Sequence, residues 1–155
     1  MIITRILDKF KIPYEFLEFE YQDEYSAKDI AEILNLPLKL VYKTLVTVTK
    51  ENKIVIFVLD SENELDLKKA AKLANTKSIE MLKQKDLLNT VGYIHGGCSP
   101  IGMKKKFMTF FDIRARQCAK IIISAGLRGK HVLINPDDIH QLIDFEYGDI
   151  CRERE

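Results

Sequence analysis

At 155 residues, 46% hydrophobic and 30% charged, the chain has the composition of one soluble globular domain. A formal charge of only +1 excludes a strong overall field for polyanions, and the longest apolar runs, such as residues 121–123, fall far short of a membrane span. Cysteines 98, 118 and 151 are odd in number and lack a C-x-x-C pair, which argues against a disulfide framework or a zinc site.

The first ten residues mix charge with helix-spaced apolar side chains and contain neither a continuous apolar core nor a small-residue cleavage site. A cytoplasmic protein opening on a helix is expected. Residues 14–20 roughly alternate aromatic and acidic side chains, as a strand does. Ser26 then suits a helix cap, with Ala27, Ile30, Ala31 and Leu34 at helical spacing before Pro37 ends the run. Residues 44–49 and 54–59 flank Lys50-Glu51-Asn52-Lys53 and predict an antiparallel hairpin.

Asp66 opens a second amphipathic helix, placing Leu67, Ala70, Ala71 and Ala74 on one face while Lys68, Lys69 and Lys72 stay in water. Residues 107–111 and 121–124 are expected strands, joined by a short helical link carrying Arg114 and Arg116. Ala125-Gly126-Leu127-Arg128-Gly129 reverses the chain into a strand over 131–134, and Pro136 opens a last helix through Ile143. No repeat or long linker interrupts this order. It predicts one domain over 1–155, α+β or curled mixed α/β rather than an alternating dinucleotide fold.

Four of the seven glycines fall in residues 92–102, and Lys104 to Lys106 follow almost at once. Such a loop lets backbone N–H groups approach an anion or a developing oxyanion closely. It is no phosphate-binding P-loop, because Met103 stands where lysine is required. Cys98, three residues after His95, offers a thiol nucleophile with an imidazole nearby in sequence. Lys43 is an isolated cation in the apolar run Leu40-Val41-Tyr42-Lys43-Thr44-Leu45-Val46, where burial calls for an anionic partner. Acidic residues gather early, at Glu15, Glu18, Glu20, Asp23 and Glu24, while most clustered base comes later, which permits a basic face.

Four segments in register resemble a known family: Val41 to Leu45, Leu65 to Lys69, Gly92-Tyr93 with Gly96 to Gly102, and Ser124 to Gly129. From residue 1 to Asp149 the chain is similar to the YbaK/EbsC aminoacyl-tRNA deacylases, relatives of the editing domain inserted in bacterial prolyl-tRNA synthetases. That resemblance implies a curled, partly barrel-like mixed β-sheet surrounded by helices, and cleavage of the ester joining a wrong amino acid, above all cysteine on tRNA(Pro), to the tRNA 3′ end. It implies no metal or organic cofactor. The implied partners are the acceptor end of tRNA and a prolyl-tRNA synthetase within a tRNA complex.

By the same resemblance Lys43 is the essential cation, and Gly96, Gly97, Ser99 and Pro100 belong to the loop that receives the carbonyl oxygen. Thr44, Ile94, Cys98, Gly102, Ser124, Gly126, Arg128 and Gly129 complete the expected pocket. Phe19 and His131 stand where relatives have tyrosine and aspartate, and bear on amino-acid preference. The resemblance also implies that the thiol of a mischarged cysteine attacks its own ester. Two other readings compete: a non-catalytic module that holds the tRNA acceptor end, and a Cys98/His95 ester hydrolase.

Overall fold

The computed structural model describes residues 2–153. Helix α1 (Ile2–Lys9) buries Ile3 and Leu7, and strand β1 (Tyr14–Glu18) follows. Helix α2 (Ala27–Leu34) begins at a reciprocal cap in which Ser26 Oγ accepts from the Asp29 N–H at 3.2 Å while the Asp29 carboxylate accepts from the Ser26 N–H at 2.9 Å. Asn35, left-handed at φ 55°, ends it ahead of Pro37.

Strands β2 (Tyr42–Thr49) and β3 (Ile54–Asp60) form the expected hairpin, paired without interruption from Tyr42 opposite Asp60 to Val48 opposite Ile54. Helix α3 (Leu67–Leu73) starts on the carboxylate of Asp66, which accepts from the Lys68 and Lys69 N–H groups. Ala70 and Ala71 are buried as expected, but Leu67 is exposed. Three short elements have no clear periodic signal: β4 (Ile79–Met81), α4 (Leu87–Val91) and β8 (Glu146–Gly148). The remaining strands are β5 (Met108–Asp112), β6 (Ile121–Leu127) and β7 (Lys130–Ile134); Pro136 opens a 3₁₀ turn over Pro136–Gln141, shorter than the expected helix.

The strands form a five-stranded mixed sheet, β4-β2-β3-β5-β8, and a three-stranded antiparallel sheet, β1-β7-β6. One parallel bridge, Val41 with Ile122, joins them. Because side chains alternate along a strand, Ile56 and Val58 enter the main core with Ile3, Leu7, Phe111, Ile121, Ile123 and Val132, whereas Val55, Phe57 and Leu59 pack behind, with Ala70 and Ala71 of α3. A cleft lies beside that bridge, with Val41 in its lining.

Candidate active site

The cleft has a volume of about 450 Å³. Strand β4 pairs with only Thr47 to Thr49 of β2, so the edge of β2 around Lys43 and Thr44 is left to border it. Ser124 of β6 and His131 of β7, opposite one another in the second sheet, supply the facing wall. His95, Gly96 and Cys98 close the mouth, and Leu82, Gln84 and Leu87 extend it toward α4.

Its charge pattern is simple. Among the described residues that line the cleft, Lys43 is the one lysine or arginine and there is no aspartate or glutamate. Lys43 is half-buried and its ammonium has no hydrogen-bond or ion-pair partner among the described residues. Two buried polar atoms also lack partners, Thr44 Oγ1 and His131 Nδ1. An unpaired buried polar group is costly, by roughly 1–3 kcal/mol. Both residues line the cleft, although the two atoms themselves are closed off from it.

His131 is 8% exposed and burial pushes its pKa down from 6.5 to about 4, so the ring is neutral near pH 7. Phe19 stacks on it, with ring centroids 5.6 Å apart, and is itself placed by its N–H bond to the Gly129 carbonyl at 3.0 Å. Ser124 Oγ accepts from the Gly126 N–H at 3.1 Å. Arg128 does not border the cleft. Its Nε donates to the His95 carbonyl at 2.9 Å while the guanidinium lies over Tyr21, which ties the β6–β7 turn to the glycine loop.

The glycine loop divides its residues between two places. Gly97 N–H closes a turn onto the Ile94 carbonyl at 2.9 Å, whereas the Gly96 and Cys98 N–H groups have no backbone partner among the described residues. Gly96 adopts φ 85°, a left-handed conformation that an L side chain rarely takes. Ser99 is fully buried, and Pro100 and Gly102 border a different cavity. Ile94 contributes its carbonyl to the turn and leaves its side chain exposed; Gly126 packs against Tyr93 and Ile3. The structure thus brings Lys43, Thr44, Gly96, Cys98, Ser124 and His131 around one space.

Cys98 is a poor nucleophile there. Burial pushes its thiol up to about 11, and Sγ lies 3.6 Å from the Ile94 carbonyl, a weak hydrogen-bond contact. No hydrogen bond joins it to His95 among the described residues. A separate buried group, Asp60, Asp112 and Cys151, brings possible metal-ligand atoms within 4.8 Å of one another. Asn63 already donates to Asp60, and Arg114 and the Ile150 N–H donate to Asp112, so these carboxylates are held by protein donors.

Residues 22–142 match the aminoacyl-tRNA editing domain model. The chain belongs to that family. This editing domain is 44% identical over 147 residues to a protein of Enterococcus faecalis provisionally named Cys-tRNA(Pro)/Cys-tRNA(Cys) deacylase EbsC, covering 94% of this chain and 90% of the relative. It is 29% identical over 144 residues to a proline–tRNA ligase of Thermodesulfovibrio yellowstonii, covering 90% of this chain but 24% of the ligase. Among solved structures, one described as a candidate trans-editing enzyme for prolyl tRNA synthetase superposes with a TM-score of 0.81 at 17% identity, over 97% of each chain. That likeness establishes a shared fold, as the mixed two-sheet architecture leads one to expect. Among the described residues no helix is long and apolar enough to cross a membrane.

Proposed function

We propose that this chain is a trans-editing deacylase that clears mischarged tRNA, with cysteine esterified to tRNA(Pro) as its main substrate. The observation that carries this reading is the cleft's charge pattern: one unpaired lysine and no carboxylate among the described residues that line it. An ester carbonyl is neutral in the ground state and gathers negative charge in the transition state. A fixed cation and fixed N–H or O–H donors therefore stabilise the second more than the first. Lys43 and the amides of Gly96 and Cys98 are the donors available for that charge.

The cleft offers no carboxylate base, and its thiol is held protonated. As the family resemblance implies, the nucleophile comes with the substrate. The cysteinyl thiol attacks its own carbonyl carbon, an S–C bond forms, and the C–O bond to the ribose breaks. The thiol's proton ends on the departing ribose oxygen. Side chains without a thiol depend on water, so selection rests on chemistry, where the fit of one methylene-sized group is worth only about 1–3 kcal/mol. Neutral His131 lines the cleft beside the aminoacyl group, and Phe19, stacked on it from outside the lining, holds that ring in place.

Near-complete coverage of a relative named as a deacylase supports action in trans, and the matching segment in proline–tRNA ligases supports delivery of the substrate by a synthetase. Incubation with labelled Cys-, Ser- and Ala-tRNA(Pro) tests the reading. Cysteine is released well ahead of serine and alanine; equal rates for all three, or none, would contradict it.

A further inference from the structure

The cleft can take only the end of a tRNA, and a second surface carries charge suited to the rest. Where the β2–β3 turn meets the end of α3, Lys50, Lys68, Lys72 and Lys77 rim an open groove of about 940 Å³. None of the four is in an ion pair among the described residues. Glu51, the acid in the groove, accepts from Thr76 Oγ1 at 2.7 Å. Lys69, on the same helix, behaves differently: its ammonium donates to Asp149 at 3.0 Å and to the Cys151 carbonyl at 2.9 Å. Helical spacing alone groups Lys68, Lys69 and Lys72 as one wet face; the fold uses Lys69 as a tie and leaves the other two free.

The groove and the cleft are joined by two strands. Along β2, Lys43 and Lys50 are seven residues apart, roughly 24 Å at the usual strand rise. The segment that runs into strand β4 is the shorter path: Lys77 rims the groove, and Met81 and Leu82 line the cleft, with Met81 at most about 13 Å from Lys77. The Lys50 N–H donates to the Ser78 carbonyl at 3.2 Å, which fixes the turn against the start of β4. Four like charges clustered on a nearly neutral molecule form a local field that a row of phosphates would neutralise.

We propose that this groove binds backbone phosphates of the acceptor stem of the tRNA whose 3′ end occupies the cleft; the proposal rests on the editing reading above. Lysines act there as point charges without a planar fork, so the groove supplies affinity and register and does not read sequence. Lys104, Lys105 and Lys106 form another basic run but border a different cavity, with His140 and Asp144. They make a comparison of equal charge.

The test measures binding of unacylated tRNA(Pro) across roughly 50–200 mM salt, and cleavage of both Cys-tRNA(Pro) and 3′-cysteinyl adenosine, which has no stem. For K68A/K72A/K77A, tRNA affinity at low salt falls about tenfold or more, and the log–log salt slope becomes shallower by about 2–3, near 0.9 for each phosphate no longer neutralised. KM for Cys-tRNA(Pro) rises with kcat unchanged, and cleavage of 3′-cysteinyl adenosine is unaffected. K104A/K105A/K106A keeps the wild-type slope. A groove variant that keeps the wild-type slope and KM overturns the proposal, as does an equal loss in the comparison variant. Should the wild type cleave neither substrate, the editing reading fails, and the salt slopes still decide the groove on their own.

Discussion

The β2–β3 and β6–β7 hairpins wall the same cleft and are built on different principles. In the first, pairing is unbroken from Tyr42 to Val48, and the turn residue in the left-handed region is Asn52 at φ 64°. In the second, pairing slips by two residues between Ser124 and Leu127, and Gly126 and Gly129 sit at φ 96° and 79°. The regular hairpin presents a charge from its open edge, Lys43. The irregular one holds neutral polar groups, Ser124 and His131, in a wall from which water is largely excluded. A regular strand edge suffices to place a long flexible cation, whereas burying an imidazole beside an aromatic ring takes a bulged and glycine-dependent turn.

The largest expected effect comes from the charged wall. Lys43→Ala lowers single-turnover deacylation of Cys-tRNA(Pro) by ~10²–10³ with folding stability preserved; equal rates would remove the cation from the chemistry. The neutral wall responds to pH instead. His131 has a folded pKa depressed from 6.5 to about 4, so between those values the unfolded chain binds a proton that the folded chain refuses. Stability is therefore present above pH 6.5 and is lost as pH falls toward 4, by about 3 kcal/mol in all. Urea unfolding at pH 7 and pH 4.5 measures this, and His131→Phe flattens the difference.

The turns sharpen the comparison further. A Cβ on Gly129 would meet the Phe19 carbonyl oxygen at 2.6 Å, so Gly129→Ala costs roughly 1–3 kcal/mol and disturbs the Phe19–His131 stack. Asn52→Gly, at the equivalent place in the regular hairpin, changes the melting temperature little. Smallest of all is Cys98→Ala, which leaves deacylation of Cys-tRNA(Pro) unchanged because the thiol is too basic to attack. Loss of activity there would revive the thiol-hydrolase reading.

Much of this was legible before the fold. Ser26 and Asp66 announce their helices because a capping side chain acts within three residues. Lys43 stands out because a lone cation interrupts an apolar strand, and the glycine cluster marks a backbone that must turn tightly. Less legible was the way that loop splits between two cavities, since one turn, Gly97 onto Ile94, decides which amides remain free. Strand β4 has three residues and depends on β2 for its pairing, so Met81, Leu82 and Gln84 gave no periodic sign of reaching the cleft. The resemblance pointed to Thr44 and His131, but their unpaired atoms emerge only when the two sheets face each other. The lysine groove combines positions 50, 68, 72 and 77, which no local window joins.

The central claim is that Lys43 and the amides of Gly96 and Cys98 converge on one acyl oxygen in the cleft that Thr44 and His131 line. Titration of the ¹⁵N-labelled protein with an adenosine bearing cysteine through a non-cleavable 3′-amide link tests it most directly. The account predicts that the largest amide shifts fall on Thr44, Gly96 and Cys98, with the Lys43 ammonium and the His131 ring moving at the same ligand concentration. Shifts confined to residues outside this cleft, with these five unmoved, would contradict it.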